Sequence, residues 1–261
     1  MRPDAEILMD EPMGERGMNM LRAMFDAAPS GTIKSKVYGG KRELLLVYGA
    51  GLQTRQAAIR QQQASGGKVV MFDMGYWGRE EDDMRMGVTT FHPTPEQIAA
   101  SPTDPRREIV LSEVADPNGP IILIGNGSKS AVMYGQTHLE WERNKLGELR
   151  RRFPGRDIVW RPKGRVATRI CGLPLRHGME IEDALQGCSL VVCRYSNVAV
   201  NACQVGVPVE CEGGAAYALY RHGPRPTVEQ RREFLSRLSW WNYKPAEASL
   251  AWQHIWRMLC D

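Results

Sequence analysis

The sequence is poor in the features that would assign it to several large protein classes. No apolar run approaches the roughly 20 residues needed to span a bilayer. The opening Met1-Arg2-Pro3-Asp4-Ala5-Glu6 carries no basic stretch followed by an apolar block, so no membrane partner and no secretion are expected, and a cytoplasmic location is. The six cysteines, at 171, 188, 193, 203, 211 and 260, include no Cys-x-x-Cys pair and sit mostly in apolar runs, the pattern of reduced core thiols. The five histidines show no His-x-x-x-His spacing, which argues against structural zinc. Asp-x-Asp is absent too, so neither a metal-chelated diphosphate nor a bound cofactor is expected. Repeats, heptads and low-complexity tracts are also missing.

What remains is the composition of a globular α/β protein. A chain of 261 residues with 43% apolar content can bury a real core in one large domain or two small ones. Net charge is only +4, yet it is unevenly spread. The window 143–169 holds ten Arg or Lys residues against Glu148 and Asp157, a local +8 that leaves −4 for the rest. Such a block is either a solvated helix face or an anion-binding surface.

Apolar periodicity divides the chain into three parts. Residues 1–43 mix acids with Met, Gly and Pro around one short helix candidate, Asn19 to Ala27, and read as an N-terminal arm. In 44–118, Leu44–Tyr48 and Val69–Phe72 are apolar runs separated by Gly49-Ala50-Gly51 and a helix from Thr54 to Ala64, a βαβ unit, and Val88–Phe91 reads as a further strand. Prolines 102, 105, 117 and 120 then mark a linker. The pattern restarts in 119–261 with strands at Ile121–Ile124, Asp157–Trp160, Ser189–Cys193 and Val207–Cys211, alternating with helices at 137–153, 180–185 and 197–205. Helices from Thr227, with Arg231 on its polar side, and over 246–259 close the chain. Continuous apolar strands alternating with helices predict parallel sheets covered on both faces.

Ligands of such sheets sit beyond the carboxyl ends of the strands, so the residues after each apolar run are the candidates. Gly125-Asn126-Gly127-Ser128-Lys129 offers glycines, backbone amides, a hydroxyl and an ammonium to a phosphate, although it is neither a Walker A loop nor a full dinucleotide fingerprint. Arg161 and Lys163, spaced by a proline, suit a diphosphate. Tyr195, Ser196 and Asn197 precede a small-residue helix that Ser196 or Asn197 would cap. Glu212 follows the last strand, where a carboxylate can grip ribose hydroxyls. In the first half, Asp73 ends a strand as a candidate general base, with His92 as its competitor. Tyr76 and Trp77, with Arg79 nearby, are placed to stack on and hold an acceptor.

The stretch from Ser196 through Gly206-Val207-Pro208-Val209 resembles the donor-binding segment of GT-B-fold glycosyltransferases. There, a Ser-capped helix of small residues leads through Gly-x-Pro into a strand and an acid that holds the nucleotide ribose. The resemblance covers 119–216, and 44–92 by architecture alone. It implies two Rossmann-like parallel-sheet domains facing across a cleft, a C-terminal helix crossing back to the first, and a nucleotide diphosphate sugar as co-substrate. The strings Asp73-Met74-Gly75-Tyr76-Trp77-Gly78-Arg79 and Arg152-Phe153-Pro154-Gly155-Arg156 look like compact bacteriophage members that glycosylate hydroxymethylated DNA bases, which would add double-stranded DNA as a partner. The expectation is metal-independent sugar transfer to a hydroxyl. A nucleotide-sugar epimerase of the same fold and a non-catalytic nucleic-acid-binding module are the alternatives.

Overall fold

The structure, a computed structural model, describes residues 4–40, 42–77, 82–127, 137–163, 170 and 172–260. The chain forms two units, Met1–Thr94 with Trp240–Asp261, and Pro95–Ser239. The first contains strands β1 (Ala5–Leu8), β2 (Ile33–Ser35), β3 (Leu44–Tyr48), β4 (Lys68–Met74) and β5 (Met84–Val88), with helices α1 (Glu15–Asp26) and α2 (Gln53–Ala64). A late strand, Asn242–Tyr243, numbered β10 in chain order, completes a sheet of order β10-β5-β4-β3-β1-β2. β1 to β4 run parallel, whereas β5 is antiparallel to β4 and β10 to β5.

Two expectations change here. Residues 1–43 are no arm, because β1 is wholly buried between β2 and β3. Glu6 disguised it: a charge in a four-residue strand breaks the apolar run, and the fold accommodates it by letting Oε1 accept the Ser35 hydroxyl at 2.5 Å and the Gly39 N–H at 2.8 Å. The strand expected at 88–91 instead covers 84–88, and Thr89, at φ 66°, turns the chain out of it. The turn folds back so closely that a Cβ on Gly87 would lie 2.1 Å from the Thr90 carbonyl oxygen.

Leu8, Leu45, Val47, Val69 and Met71 form one core with Ala58 and Ile59 of α2. The C-terminal helix, Ala248–Cys260, belongs to this unit, and buried Trp252 donates to the Met24 carbonyl of α1 at 2.7 Å. Arg55 of α2 is the main polar fastening. Its Nε meets Asp10 Oδ1 at 2.6 Å, and its Nη atoms donate to the carbonyls of Tyr48 at 2.6 Å and Pro12 at 3.0 Å. One guanidinium thus ties together the chain beyond β1 and the end of β3.

The second unit is a four-stranded parallel sheet of β6 (Ile121–Ile124), β7 (Ile158–Arg161), β8 (Leu190–Cys193) and β9 (Val209–Cys211), in the order β7-β6-β8-β9. Its helices are α3 (Pro95–Ala99), α4 (Glu140–Arg152), α5 (Ile181–Leu185), α6 (Val198–Gln204), α7 (Tyr217–Tyr220) and α8 (Val228–Leu238). Trp141, Leu146 and Leu149 of α4 pack on Ile121, Leu123, Ile158, Trp160 and Val192. The proline-marked stretch expected as a linker is instead bonded into this unit: Ser112 and Val114 donate to the carbonyls of Gln204 and Val205 at 2.9 and 3.0 Å. Glu113 pairs with Arg231, which is buried and not on the polar side of its helix. A reciprocal Thr227–Gln230 capping box starts α8.

Two predictions follow from burial. Arg55 and Asp10 side chains are 6% and 9% exposed, so Arg55→Ala strands a carboxylate, and breaking such a pair costs roughly 3–5 kcal/mol. Urea denaturation reads the loss, and a change below about 1 kcal/mol would contradict the role. Burial also pushes the thiols of Cys193 and Cys203 up to about 12 each and raises those of Cys188 and Cys211. At pH 8 roughly one in 10⁴ of the first two is thiolate. Peptide mapping after alkylation should find all four unlabelled in native protein and labelled after unfolding; rapid native labelling of Cys193 or Cys203 would refute it.

Candidate functional site

In the second sheet the chain steps from β6 to β7 on one side, then crosses to β8 on the other. Strand order therefore reverses between β6 and β8, the position where an open parallel sheet receives ligands at its carboxyl edge. The loops leaving the four strands lie along that edge and are joined in two pairs. Gly125 donates its N–H to the Arg161 carbonyl at 2.9 Å, and a Cβ on it would lie 2.6 Å from the buried Trp160 ring and 3.2 Å from the Lys163 nitrogen. A Cβ on Gly127 would lie 3.7 Å from Lys163 Cδ. The candidates after β6 and β7 are thus brought together. Ser128 and Lys129 lie outside the described residues.

The loop is held from below by a group the sequence reading missed. Glu142, 2% exposed in the first turn of α4, accepts the Asn126 N–H at 2.6 Å. Its only sequence signal was an acid near a helix start, a common pattern.

The loops after β8 and β9 are zipped to each other, since the N–H groups of Glu212 and Gly213 both donate to the Arg194 carbonyl, at 3.1 and 2.9 Å. Arg194 lies over the Tyr195 ring at 5.1 Å. Only glycine fits at 213, where a Cβ would meet that ring at 2.4 Å. Glu212 accepts the indole N–H of Trp141 at 2.8 Å and pairs with Lys145 and Arg194, each at 3.3 Å. Hydrogen bonds to Glu148 and Glu212 keep Lys145 charged, raising its pKa although burial acts the other way. Asn197 makes no side-chain cap to α6, contrary to one expectation, while Ser196 Oγ accepts the Val198 N–H at 3.3 Å.

Arg161 is used differently from the expectation. Its guanidinium donates to the carbonyls of Met179 at 2.8 Å and Arg176 at 3.4 Å, and burial lowers its pKa against the pull of Glu180 and Glu182. Much of the basic window is spent internally in the same way. Arg152 forms a two-pronged pair with Glu210 at 2.7 and 2.8 Å, and Arg156 donates to the Pro117 and Gly119 carbonyls. Arg165 and Arg169 lie outside the described residues. Arg143, Arg150 and Arg151 are exposed on α4 and make no ion pair among the described residues.

In the first unit, Asp73 lies near the end of β4 with Oδ2 2.7 Å from Arg85 Nη2 and Oδ1 accepting the Met74 N–H at 2.8 Å; its side chain is 37% exposed. Arg85 also donates to the Phe91 carbonyl. Tyr76, expected to stack on an acceptor, is instead fully buried, with its hydroxyl 3.0 Å from His92 Nδ1 and its N–H on Asn242 Oδ1 at 3.2 Å. Its N–H bond to Asn242 of β10 and its ring contacts with Trp77 and His92 hold it out of solvent. Trp77 is half-buried and Arg79 lies outside the described residues. The order of this sheet reverses between β1 and β3, so Asp10, hidden in the presumed arm, also lies at a strand end of the kind that receives ligands.

Compared by sequence, neither a family model nor a curated protein matches the chain. Solved structures do. KpsC of Thermosulfurimonas dismutans, as its beta Kdo 2,4 transferase, is similar over 97% of this chain and 98% of its own, at 12% identity and a TM-score of 0.56. Its beta Kdo 2,7 transferase is similar over 99% and 100%, at 14% identity and a TM-score of 0.50. At such identities the likeness is one of fold: an α/β chain of two Rossmann-like units, GT-B-like, whose C-terminal helix returns to the first unit.

The contact of Gly125 with Trp160 sets one expectation. Trp160 is 0% exposed, so the ring cannot swing away from a new methyl, and Gly125→Ala should destabilise by about 1–3 kcal/mol, the usual cost of overpacking. Chemical denaturation tests this, and an unchanged midpoint would show that the loop adjusts freely.

Proposed function

We propose that the protein is a glycosyltransferase that binds a nucleotide-activated sugar at the carboxyl edge of the second sheet and transfers the sugar to a hydroxyl acceptor. The observation that carries this reading is that two loop pairs, Gly125–Gly127 with Lys163 and Tyr195–Asn197 with Glu212, leave the carboxyl edge of the sheet whose strand order reverses between β6 and β8. A fold shared with two sugar transferases supports it. Fold alone fixes no chemistry; the reading rests on the site, which offers backbone amides and cations to a phosphate beside a carboxylate suited to ribose.

In this mechanism Lys163 and the amides of the 125–127 loop stabilise charge on the departing phosphate, and Arg161 braces the loop that carries Lys163. Ser128 and Lys129 extend the same loop and are proposed as further donor contacts. Asp73 accepts the proton of the attacking hydroxyl, and Trp77 and Arg79 hold the acceptor. The reaction is proposed to need no metal, because the chain has no Asp-x-Asp. For the acceptor, the sequence resemblance favours a hydroxymethylated base in double-stranded DNA, with Arg143, Arg150 and Arg151 as phosphate partners. The internal pairing of Arg152, Arg156 and Arg161 disfavours a module that only binds nucleic acid.

Donor binding and turnover should separate in two variants. Lys163→Ala should weaken nucleotide-sugar affinity 10- to 100-fold by calorimetry, about the 1.5–3 kcal/mol of a charge-assisted contact. Asp73→Asn should bind the donor normally and lose on the order of 10²–10⁴ in rate. Turnover should persist in EDTA. Assays on hydroxymethylated DNA and on free sugar acceptors decide the acceptor. A wild-type protein that neither binds nor hydrolyses any nucleotide sugar would refute the proposal.

A further inference from the structure

We propose that Asn126 is a site of spontaneous covalent modification: in the native chain its side-chain amide cyclises onto the backbone nitrogen of Gly127, and the product places a carboxylate in the loop after β6. The modification stands on the local geometry alone. Its consequence for donor binding rests on the transferase reading above.

The reaction needs no co-reactant but water. The Gly127 nitrogen loses its hydrogen to hydroxide and bonds to the carbonyl carbon of the Asn126 side chain; the bond from that carbon to the amide nitrogen breaks, a proton is returned to the leaving nitrogen, and ammonia departs. Water then opens the five-membered imide from either side, giving aspartate or isoaspartate, the latter with an extra methylene in the main chain. Glycine permits the attack best, because no Cβ screens its nitrogen.

The chain contains two Asn-Gly pairs, 118–119 and 126–127, which sequence alone treats alike and the structure separates. Around the first, the Gly119 N–H donates to the Asp116 carbonyl at 2.9 Å and the Asn118 N–H to Asp116 Oδ1 at 2.9 Å, the pattern of an Asx turn. Arg156 clamps the carbonyls of Pro117 and Gly119 at 2.9 and 2.7 Å. A Cβ on Gly119 would lie 1.7 Å from the Gly187 carbonyl oxygen, so the backbone has no room to swing. Attack by this nitrogen must first break its hydrogen bond and open the turn, a penalty that slows the reaction roughly tenfold or more.

The second pair is held on one side only. Gly125 and Asn126 donate their N–H groups to the Arg161 carbonyl at 2.9 Å and to Glu142 at 2.6 Å. Beyond that nitrogen the restraint ends: among the described residues, no hydrogen bond engages the Asn126 side-chain amide or the Gly127 N–H. Both residues are half-buried and within reach of water, and the nearest described group to a Cβ on Gly127 is Lys163 Cδ at 3.7 Å. The carboxylate that results sits on the loop whose amides and neighbouring cation are proposed to face the donor phosphate. Isoaspartate also displaces the Gly127 N–H along the chain. Both changes oppose anion binding.

Mass-spectrometric peptide mapping of the full chain, kept warm at mildly alkaline pH and sampled over time, reads both pairs at once. Asn126 should convert at least about tenfold faster than Asn118 in the folded chain, and at a similar rate in urea, where the turn around Asn118 is gone. Equal rates in the folded chain, or earlier conversion of Asn118, would overturn the proposal, as would an Asn126 that converts only in urea. Inorganic pyrophosphate probes the consequence. Calorimetry should show its affinity falling roughly tenfold or more as Asn126 converts, whereas Asn126→Gln, whose longer side chain disfavours the five-membered ring, should keep whatever affinity it starts with. Affinity indifferent to conversion would overturn the functional half. A fresh wild-type chain that binds no pyrophosphate would sink the phosphate-loop reading, and the mass spectrum would still decide the modification.

Discussion

The carboxylate of Glu212 collects the indole N–H of Trp141, the ammonium of Lys145 and the guanidinium of Arg194. Those groups come from the first half of α4 and the end of β8, and Glu212 itself from the end of β9, so one side chain fastens the helix after the first strand of this sheet to the loops after the third and fourth. Trp141 in turn belongs to the core that α4 shares with β6, β7 and β8. The position of the carboxyl edge is thus tied to the packing of the sheet. Glycine at 125 and 213 follows from the same closeness, because in each case a ring occupies the space a Cβ would need. A carboxylate so engaged still has lone pairs for a ligand hydroxyl.

Several arginines of this chain are spent on its own backbone. Arg55, Arg156, Arg161, Arg176 and Arg231 all donate to main-chain carbonyls, satisfying acceptors that irregular loops leave open. Such arginines act as struts for segments without regular structure. Within the window of local charge +8, the described arginines left exposed without an ion pair are Arg143, Arg150 and Arg151 on α4.

The sequence was most legible where strands are continuous apolar runs. Leu44–Tyr48 and Ile121–Ile124 stand out because burial on both faces leaves no polar position. It was least legible where a polar residue is buried by local compensation. Glu6 hid β1, Arg85 and Gly87 hid β5, and the two residues of β10 are too short to register. Losing β1 moved the perceived start of the first unit to residue 44 and removed Asp10 from consideration. The site followed the same rule. Strand-end residues such as Gly125, Lys163 and Glu212 were visible from position alone, but Glu142, Lys145 and Arg85 act through contacts with residues 16, 67 and 12 positions away in the chain. No local pattern encodes those contacts.

Hydrogen–deuterium exchange of the full chain, with and without saturating nucleotide sugar, tests the central claim most directly, because bound phosphate and ribose should shield amides at the carboxyl edge of the second sheet. The account predicts slowed exchange at residues 125–127, 194–197 and 212–214, with the strands of both sheets unchanged. Binding that leaves those three segments unprotected would place the donor elsewhere and contradict it.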